Sequence, residues 1–497
     1  MLGTIYGVNY TMAKFNLGLY GSHNASLAIS FGGEVLEVVE LERWVGEKNA
    51  AFFYTFPIEN PIEVLNEILD YFDKKYGAKE YDFAMVNSWP QEHQSQLRAR
   101  TIKYVPHHVA HACNVMYQSD ANSSLIVSFD GGSDNGHFNI YLGDKGKEPQ
   151  LIFNSEVDLC VPYAAIGHYL RDIKREDNLW KGNLTYAGKV MGLSAYGKKV
   201  DEFFEYTKKL YDISNTNDVN IHHQNWIEIY CGCNHVGQKG SDLAYANQYA
   251  FEKKFADLAI PFILQYPDRQ LQFSGGGSMN ILNNTVYKAF VSPNSDDRGI
   301  ALGCLLSLIT PSIAVDTTYL GSDPYDEMPN GKETDTKEVA QILSEGKIIG
   351  LIQGRSEHGA RALGNRSILC IPTAGVKEKL NSNVKNREWF RPFAAVCREE
   401  DAHKYFKSFG MHQWMTHNTK VITDQYPAIT HVDNTCRLQT VNEKQNKFIY
   451  DLLEYHPILL NTSFNIQGKP ILNTYKEAMW MKENTGIDEV LTDKYIL

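Results

Sequence analysis

The sequence predicts an α/β protein in two parts: a larger, internally duplicated N-terminal domain over residues 1–335 and a smaller α/β domain over 336–497. Three observations predict this. A strand, glycine-rich turn, strand unit occurs twice in the first third of the chain. The stretch "GSDPYDEMPNGKETDT" at 321–336, dense in turn formers and charges, reads as a linker between two apolar patterns. At 497 residues the chain is also two to three times the usual domain length.

The elements follow in order. "IYGVNY" and "ASLAISFGGEVLEVVELER" read as strands, with a turn at Gly32-Gly33 and a charged end. "PIEVLNEILDYFDKKYG" has apolar residues at helical spacing and stops at Gly77. "SSLIVSFDGGSDNGHFNIYLGDKG" repeats the strand, acidic-glycine turn, strand arrangement. The repetition suggests a duplicated fold of the actin and sugar-kinase kind, in which two related halves face each other across a nucleotide cleft. Residues 200–250 are polar, rich in Asn, Tyr and His and weakly periodic, so they read as an insertion. A helical run from about Tyr249 to Tyr266 precedes the strand of "LQFSGGGSMNILNN". The second apolar pattern opens with "KEVAQILSEGKIIGLIQGRSEHGARALGNRS".

Composition narrows the function. With 43% hydrophobic and 22% charged residues the chain is neither disordered nor fibrous. A net charge of -11 argues against a broad basic surface for long nucleic acid, while leaving room for a local basic cleft. No cationic leader followed by an apolar run occurs, and no stretch approaches the ~18 apolar residues of a membrane span, so a cytoplasmic protein without a membrane partner is expected. Eight scattered cysteines suit reduced thiols.

The candidate chemistry is concentrated in four places. His107 and His111 of "VPHHVAHACNV" are four residues apart, which on a helix brings their Cβ atoms to roughly 5 to 6 Å and lets both reach one cation. His108 points about a quarter-turn away. Such a pair alone is equally the polar start of an ordinary helix. The acidic turns favour a site: Asp130 ends an apolar strand and Asp297 precedes a glycine that opens a helix. Two imidazoles and two carboxylates suit iron or manganese better than a closed zinc site. His222, His223, Cys231, Cys233 and His235 form a rival cluster, whose CxC spacing is tighter than a zinc knuckle, and a surface insertion explains it better. "SGGGSMN" leaves backbone N–H groups of Gly275, Gly276 and Gly277 open to a phosphate or ribose, with Asn280 at the following helix start, although a tight strand-to-helix turn needs glycines as well. The densest signal is Arg355, Arg361, Arg366, Lys385, Arg387 and Arg391, six cations within 37 residues with few acids beyond Glu357 and Glu388. Guanidinium density of this kind matches bidentate phosphate binding. "ILLNTSFNIQGKPI" ends a strand with Asn461, Thr462, Ser463 and Asn465, able to orient a small amide or a nucleotide.

Taken together, "SHNASLAIS", "ELERW", "HHVAHA", "SFDGGSD", "GKVMGLSAYG", "SGGGSMN", "DDRGIALG", "GRSEHGARALGNRSIL", "REWFRPFAAV" and "LLNTSFNIQGKPI", in that order, resemble the NodU/CmcH-type O-carbamoyltransferases. The resemblance implies an N-terminal actin-like (ASKHA, TsaD-like) domain and a smaller C-terminal YrdC-like domain. It implies an ATP-dependent reaction in two sites. The C-terminal domain makes carbamoyladenylate from carbamoyl phosphate and ATP, with Mg²⁺, and the N-terminal domain transfers the carbamoyl group to a hydroxyl acceptor. His107, His111, Asp130 and Asp297 would hold iron(II) or manganese, and His23, Asn24 and Lys189 would form the catalytic set with His23 as base. The glycine turn with Asn280 would seat the adenylate. The six cations would neutralise the converging phosphates, Asn461 and Ser463 would position the carbamoyl group, and Glu357 and Asn465 would belong to the same cofactor-binding set. Two departures stand out: the family reads His-Asp where this chain has His23-Asn24, and GPRALG where it has "GARALG". Asn24 removes a carboxylate from beside the base. The other readings are a TsaD-like tRNA threonylcarbamoyl transferase, which the acidic charge and the arginine-rich domain disfavour, and a non-catalytic actin-like nucleotide-binding module. The acceptor stays open among small molecule, sugar and nucleotide, and a homodimer is compatible with the chain.

Overall fold

The first chain reversal forms where the glycines require it. Gly32 and Gly33 adopt φ of 59° and 91°, a conformation that glycine reaches without steric cost, and join β2 (Ser26–Phe31) to β3 (Glu34–Glu40). The computed structural model describes residues 14–132, 134–173, 179–213, 236–407 and 412–497. The strand expected at "IYGVNY" lies outside them. In its place β1 forms at Phe15–Tyr20, antiparallel to β2 and parallel to β4 (Tyr81–Asn87), which pairs in parallel with β5 (Ala99–Tyr104). The order of this sheet is β3-β2-β1-β4-β5. The helix Pro61–Tyr76 links its two halves and ends at Gly77, whose φ of 78° lets its N–H reach Asp73 O at 2.7 Å.

A second sheet repeats the plan. β6 (Ser123–Phe129), β7 (Phe138–Asp144) and β8 (Gln150–Ser155) run antiparallel, and β6 also pairs in parallel with β9 (Gln270–Ser274), giving the order β8-β7-β6-β9. Between the two sheets lie the helices His107–Gln118 and Ile300–Ile309, packed so closely that a Cβ on Gly303 would sit 2.0 Å from Ala110 O. This sandwiched pair carries two of the expected metal ligands on one helix and follows a third, Asp297, into the other.

The expected insertion at 200–250 is corrected. Asp201–Ile213 is a helix that buries Thr207, Leu210 and Tyr211, and Gly237–Gln265 is a single long helix beginning twelve residues before the expected start. Phe251 and Phe255 of that helix pack with Phe129, Phe138 and Phe273, so it completes the core of the second sheet. The rival cluster of His222, His223, Cys231, Cys233 and His235 lies outside the described residues.

The C-terminal part is one mixed sheet of nine strands that includes β10 (Lys332–Glu333), β11 (Ile349–Ile352), β14 (Asn418–Lys420), β17 (Glu489–Leu491) and β18 (Tyr495–Ile496), in the order β10-β18-β17-β11-β12-β16-β13-β15-β14, with apolar clusters on both faces. The strands that bear on function are β12 (Arg366–Cys370), β13 (Ala394–Arg398), β15 (Thr435–Val441) and β16 (Ile458–Ser463). Helix starts here follow their caps: Asp335, Asn446 and Thr474 each accept a backbone N–H three residues on. The turn-rich stretch at 321–336 is docked rather than free, since Asp326 accepts the N–H groups of Tyr475 and Lys476 and Lys332–Glu333 forms the edge strand β10. Among the described residues no helix is long and apolar enough to cross a membrane.

Candidate metal centre and active site

His107 opens its helix after Pro106, and its backbone N–H, one of the donors a helix start leaves unpaired, is met by Asp134 at 3.1 Å. One turn later His111 brings its Nε2 to 3.1 Å from His107 Nε2. Asp130 arrives from the end of β6 and Asp297 from the turn before the helix Ile300–Ile309. Their carboxylates lie 3.4 Å from His111 Nε2, and Asp297 lies 3.8 Å from His107 Nε2. One ligand atom from each of the four residues falls within 4.8 Å of all the others, and all four residues are buried. Two imidazole nitrogens and two carboxylate oxygens converging from separate elements fit a divalent cation with open coordination positions.

The charges explain why these groups stay together. Burial lowers the pKa of His107, and it lowers that of His108 to about 3, so both rings are neutral. His111 is the reverse: burial acts to lower its pKa, but the carboxylates of Asp130 and Asp297 outweigh it and raise it to about 9. Burial acts to raise Asp297, yet the nearby His23, His111 and His107 hold it well below the usual carboxylate range. In the metal-free protein a proton on His111 therefore occupies the position between the carboxylates that a cation would take. His108 serves as scaffold, with its ring nitrogens against Ser128 Oγ at 2.7 Å and Gly136 O at 3.1 Å.

Around the quartet, Tyr20 donates to Asp297 at 2.6 Å, and His23 Nε2 stands 3.4 Å from the same carboxylate. Asn24, held at φ 58°, has its Nδ2 3.5 Å from His23 Nδ1. A cavity of about 590 Å³ brings together His23, Asn24, His107, Asp130, Asp297, Gly276, Gly277, Asn280 and, from the C-terminal part, Arg361. Lys48 and Arg298 line it too, two cations that were not singled out in the sequence because neither sits in a cluster.

The glycine turn packs two strands together at the border of the cavity. Gly276 N–H donates to Asp130 and Gly275 N–H to Ser295 O at 2.8 Å, so neither is left for a phosphate. A Cβ on Gly275 would meet Phe129 O at 2.2 Å, and one on Gly277 the Phe129 ring at 2.2 Å. The glycines allow β9 to approach the end of β6 and hold Asp130 in place. Asn280 caps the helix Ile281–Tyr287 and bonds Gln248.

The six-cation array is also corrected. Arg366 is fully buried and spends its guanidinium on the carbonyls of Gln353, Gly354 and Asn365 and on Asn473 Oδ1. Arg355 donates to Gly321 O at 2.9 Å and Leu320 O at 2.7 Å. Both stitch loops together. Glu357 Oε1 accepts the N–H groups of Leu363, Asn365 and Arg366 and so shapes the loop that carries Arg361. Lys189 does not face the cavity; it forms a buried 2.8 Å ion pair with Glu388 across the seam between the N- and C-terminal parts.

Four cations remain grouped: Arg361, Lys385, Arg387 and Arg391, joined by Arg437 of β15. Burial first, then the charges of Arg437 and Arg391, push the pKa of Arg361 well down. Burial and the neighbouring arginines do the same to Lys385 and Arg387, and burial followed by Arg391 lowers Arg437 to about 10. Clustered guanidinium groups held without enough counter-charge form a receptor for an anion. Arg437 stands alone in sequence, and only the β13–β15 pairing, which sets it opposite Ala394, reveals it. Lys385 Nζ binds Asn465 Oδ1 at 2.7 Å and also reaches Ser463, so these three expected residues do meet. Asn461 is buried on β16, donates to Gln439 at 2.7 Å and leaves its Oδ1 without a partner.

Residues 25–306 match the family described as Carbamoyltransferase N-terminus, and residues 340–497 match Carbamoyltransferase C-terminus. An uncharacterized protein of Methanocaldococcus jannaschii is 27% identical over 97% of this chain and 99% of its own length. The nodulation protein NolO of Bradyrhizobium diazoefficiens is 29% identical over 79% of this chain and 78% of its own. The 3'-hydroxymethylcephem-O-carbamoyltransferase of Amycolatopsis lactamdurans is 28% identical over 63% of this chain and 64% of its own. Full-length HypF superposes over 60% of this chain at 12% identity with a TM-score of 0.36, too distant to carry a residue assignment. The chain belongs to the carbamoyltransferase family, of the NodU/CmcH kind, and is a carbamoyltransferase.

Proposed function

We propose that this enzyme is an ATP-dependent O-carbamoyltransferase that works in two stages. The matching strand orders of the first two sheets support reading residues 1–335 as the actin-like, TsaD-like transfer domain and 336–497 as the YrdC-like domain. The single observation that carries the proposal is that one cavity is lined both by His107, Asp130 and Asp297 of the His/Asp quartet and by Arg361 of the arginine group.

In the first stage Arg361, Arg387, Arg391 and Arg437 bind the phosphates of carbamoyl phosphate and ATP, while Lys385 holds Ser463 and Asn465 toward the carbamoyl end. Carbamoyl phosphate yields carbamate and inorganic phosphate with water. A carbamate oxygen then attacks the α-phosphorus of ATP, and pyrophosphate leaves. The cations lower the repulsion between these anions, which otherwise keeps them apart. In the second stage the acceptor hydroxyl oxygen attacks the carbamoyl carbon, AMP leaves, and His23 takes the hydroxyl proton. The quartet His107, His111, Asp130 and Asp297 would hold iron(II) or manganese, which when bound supplies Lewis acidity to an oxygen of the reacting groups. Asn24 beside His23 Nδ1 orients the ring through a neutral amide where the family has a carboxylate.

The test is to incubate the enzyme with ATP, Mg²⁺ and carbamoyl phosphate and follow pyrophosphate. Release that needs carbamoyl phosphate is expected; none with it, or equal release without it, defeats the proposal. Offering hydroxyl compounds to the same mixture and reading a gain of one carbamoyl group by mass spectrometry identifies the acceptor.

A further inference from the structure

We infer that Glu40 and Arg43, side chains of the N-terminal part outside the lining of the cavity described above, are positioning residues for Arg361 of the C-terminal part. The inference rests on the proposed phosphate-binding role of the arginine group. Arg361 stands near the crest of the loop 357–366. Its guanidinium makes no hydrogen bond to the described residues, and its Nε is buried without a partner. A cation next to other cations is pushed away by them unless the backbone under it is fixed, so what holds this loop decides where the charge stands.

One limb is held by Glu357, from within the C-terminal part. The other is held from outside it. Gly359 N–H donates to Glu40 Oε1 at 2.7 Å, and Gly359 O accepts from Arg43 Nη2 at 2.8 Å. Glu40 and Arg43 are joined to each other at 3.0 Å and are 3% and 4% exposed, so the clamp is rigid and dry. Gly359 adopts φ 122°, and a Cβ there would lie 2.4 Å from Pro293 O, so the clamped position packs against the N-terminal part and admits only glycine. The residue before it, His358, is also held by the N-terminal part, through Thr318 O and Arg298 O, each at 3.0 Å. Two residues beyond Gly359 comes Arg361. The motif "ELERW" therefore acts on the phosphate group of the other part through the backbone of a single glycine.

The experiment measures binding of carbamoyl phosphate by calorimetry for the full chain, Arg361→Ala, Glu40→Ala and the double variant. Arg361→Ala should weaken binding about tenfold or more, the loss of one charge-assisted contact. Glu40→Ala should approach that loss, and the double variant should bind no worse than Arg361→Ala alone, because the clamp acts through that arginine. Glu40→Gln, which keeps an oxygen for Gly359 N–H, should recover most of the affinity. If Arg361→Ala is weak while Glu40→Ala binds as the full chain does, or if the two losses multiply, the clamp is refuted and the phosphate reading survives. If Arg361→Ala itself binds normally, the phosphate reading falls and takes the clamp with it. Should Glu40→Ala fail to fold, Arg43→Lys, which shortens the reach to Gly359 O, takes its place in the same cycle.

Discussion

At the residue scale the decisive group is His111, a ring placed between two carboxylates and touching a second imidazole. Its pKa is raised to about 9 from an ordinary value near 6.5, so the protonated ring stabilises the metal-free fold fully below about pH 6.5, and that stability is lost as pH rises through 9. Proton and cation compete for one position, so metal affinity should strengthen from pH 6.5 toward 9 and level off above. Melting the metal-free protein across this window, with and without Mn²⁺, checks both signs; a flat metal-free profile contradicts them. Asp297→Asn should lower bound metal at least tenfold by elemental analysis, since ligand and neighbour changes at such sites cost that much or more. The two kinds of arginine differ as sharply. Arg366→Ala leaves several buried carbonyls unpaired and should cost about 3 to 5 kcal/mol in denaturant melts. The four candidate ligands are legible in the sequence because His107 and His111 share one face in the first turns of a helix and the two aspartates stand where a strand ends and a helix begins. The difference between Arg361 and Arg366 was not, since both sit in one run with identical chemistry.

At the element scale the helix His107–Gln118 is located by its neighbour Ile300–Ile309, and Gly303 is the contact that sets their spacing. Gly303→Ala drives a Cβ into Ala110 O and should cost about 2 kcal/mol or more. Because Ala110 precedes His111, the same variant should also lose metal; full metal occupancy at a lowered melting temperature would show that the ligands do not follow the helix. The hairpin at Gly32-Gly33, the helix ending at Gly77 and the strand pair around "SFDGGSD" could all be read from period and turn chemistry. The helices Asp201–Ile213 and Gly237–Gln265 could not. Their buried positions include Thr207, Asn247 and Gln248, polar residues satisfied by partners far along the chain, and these interrupt the apolar spacing of Phe203, Leu210 and Tyr211 in the first helix and of Leu243, Ala250 and Phe251 in the second. Similarly, the packing of the "SGGGSMN" glycines against Phe129 shows only in the parallel pairing of β6 and β9.

At the scale of the whole molecule the seam between the two parts is closed by buried polar and aromatic contacts. Lys189 and Glu388 form a buried ion pair across it, Tyr196 packs edge-on to Trp389 at 5.0 Å, and His431 Nε2 lies 3.0 Å from Gly192 O. Lys189→Met leaves Glu388 charged and buried beside Arg391, and should cost about 3 to 5 kcal/mol, while the double variant Lys189→Met/Glu388→Gln should regain much of that. Denaturant melts of the three variants test this coupling, and simple addition of the two losses would show that the pair is not a unit.

What the sequence by itself determined is the class of protein and the residue types of its chemistry: the family, the buried His/Asp quartet and the arginine-rich segment follow from local motifs. What only the tertiary structure decided is which cations are free. A guanidinium is spent or available according to the carbonyl groups around it, and carbonyls brought by distant loops leave no mark on the order of side chains. For the same reason the clamp on Gly359, made by residues some three hundred and twenty positions away, appears only once the chain has folded.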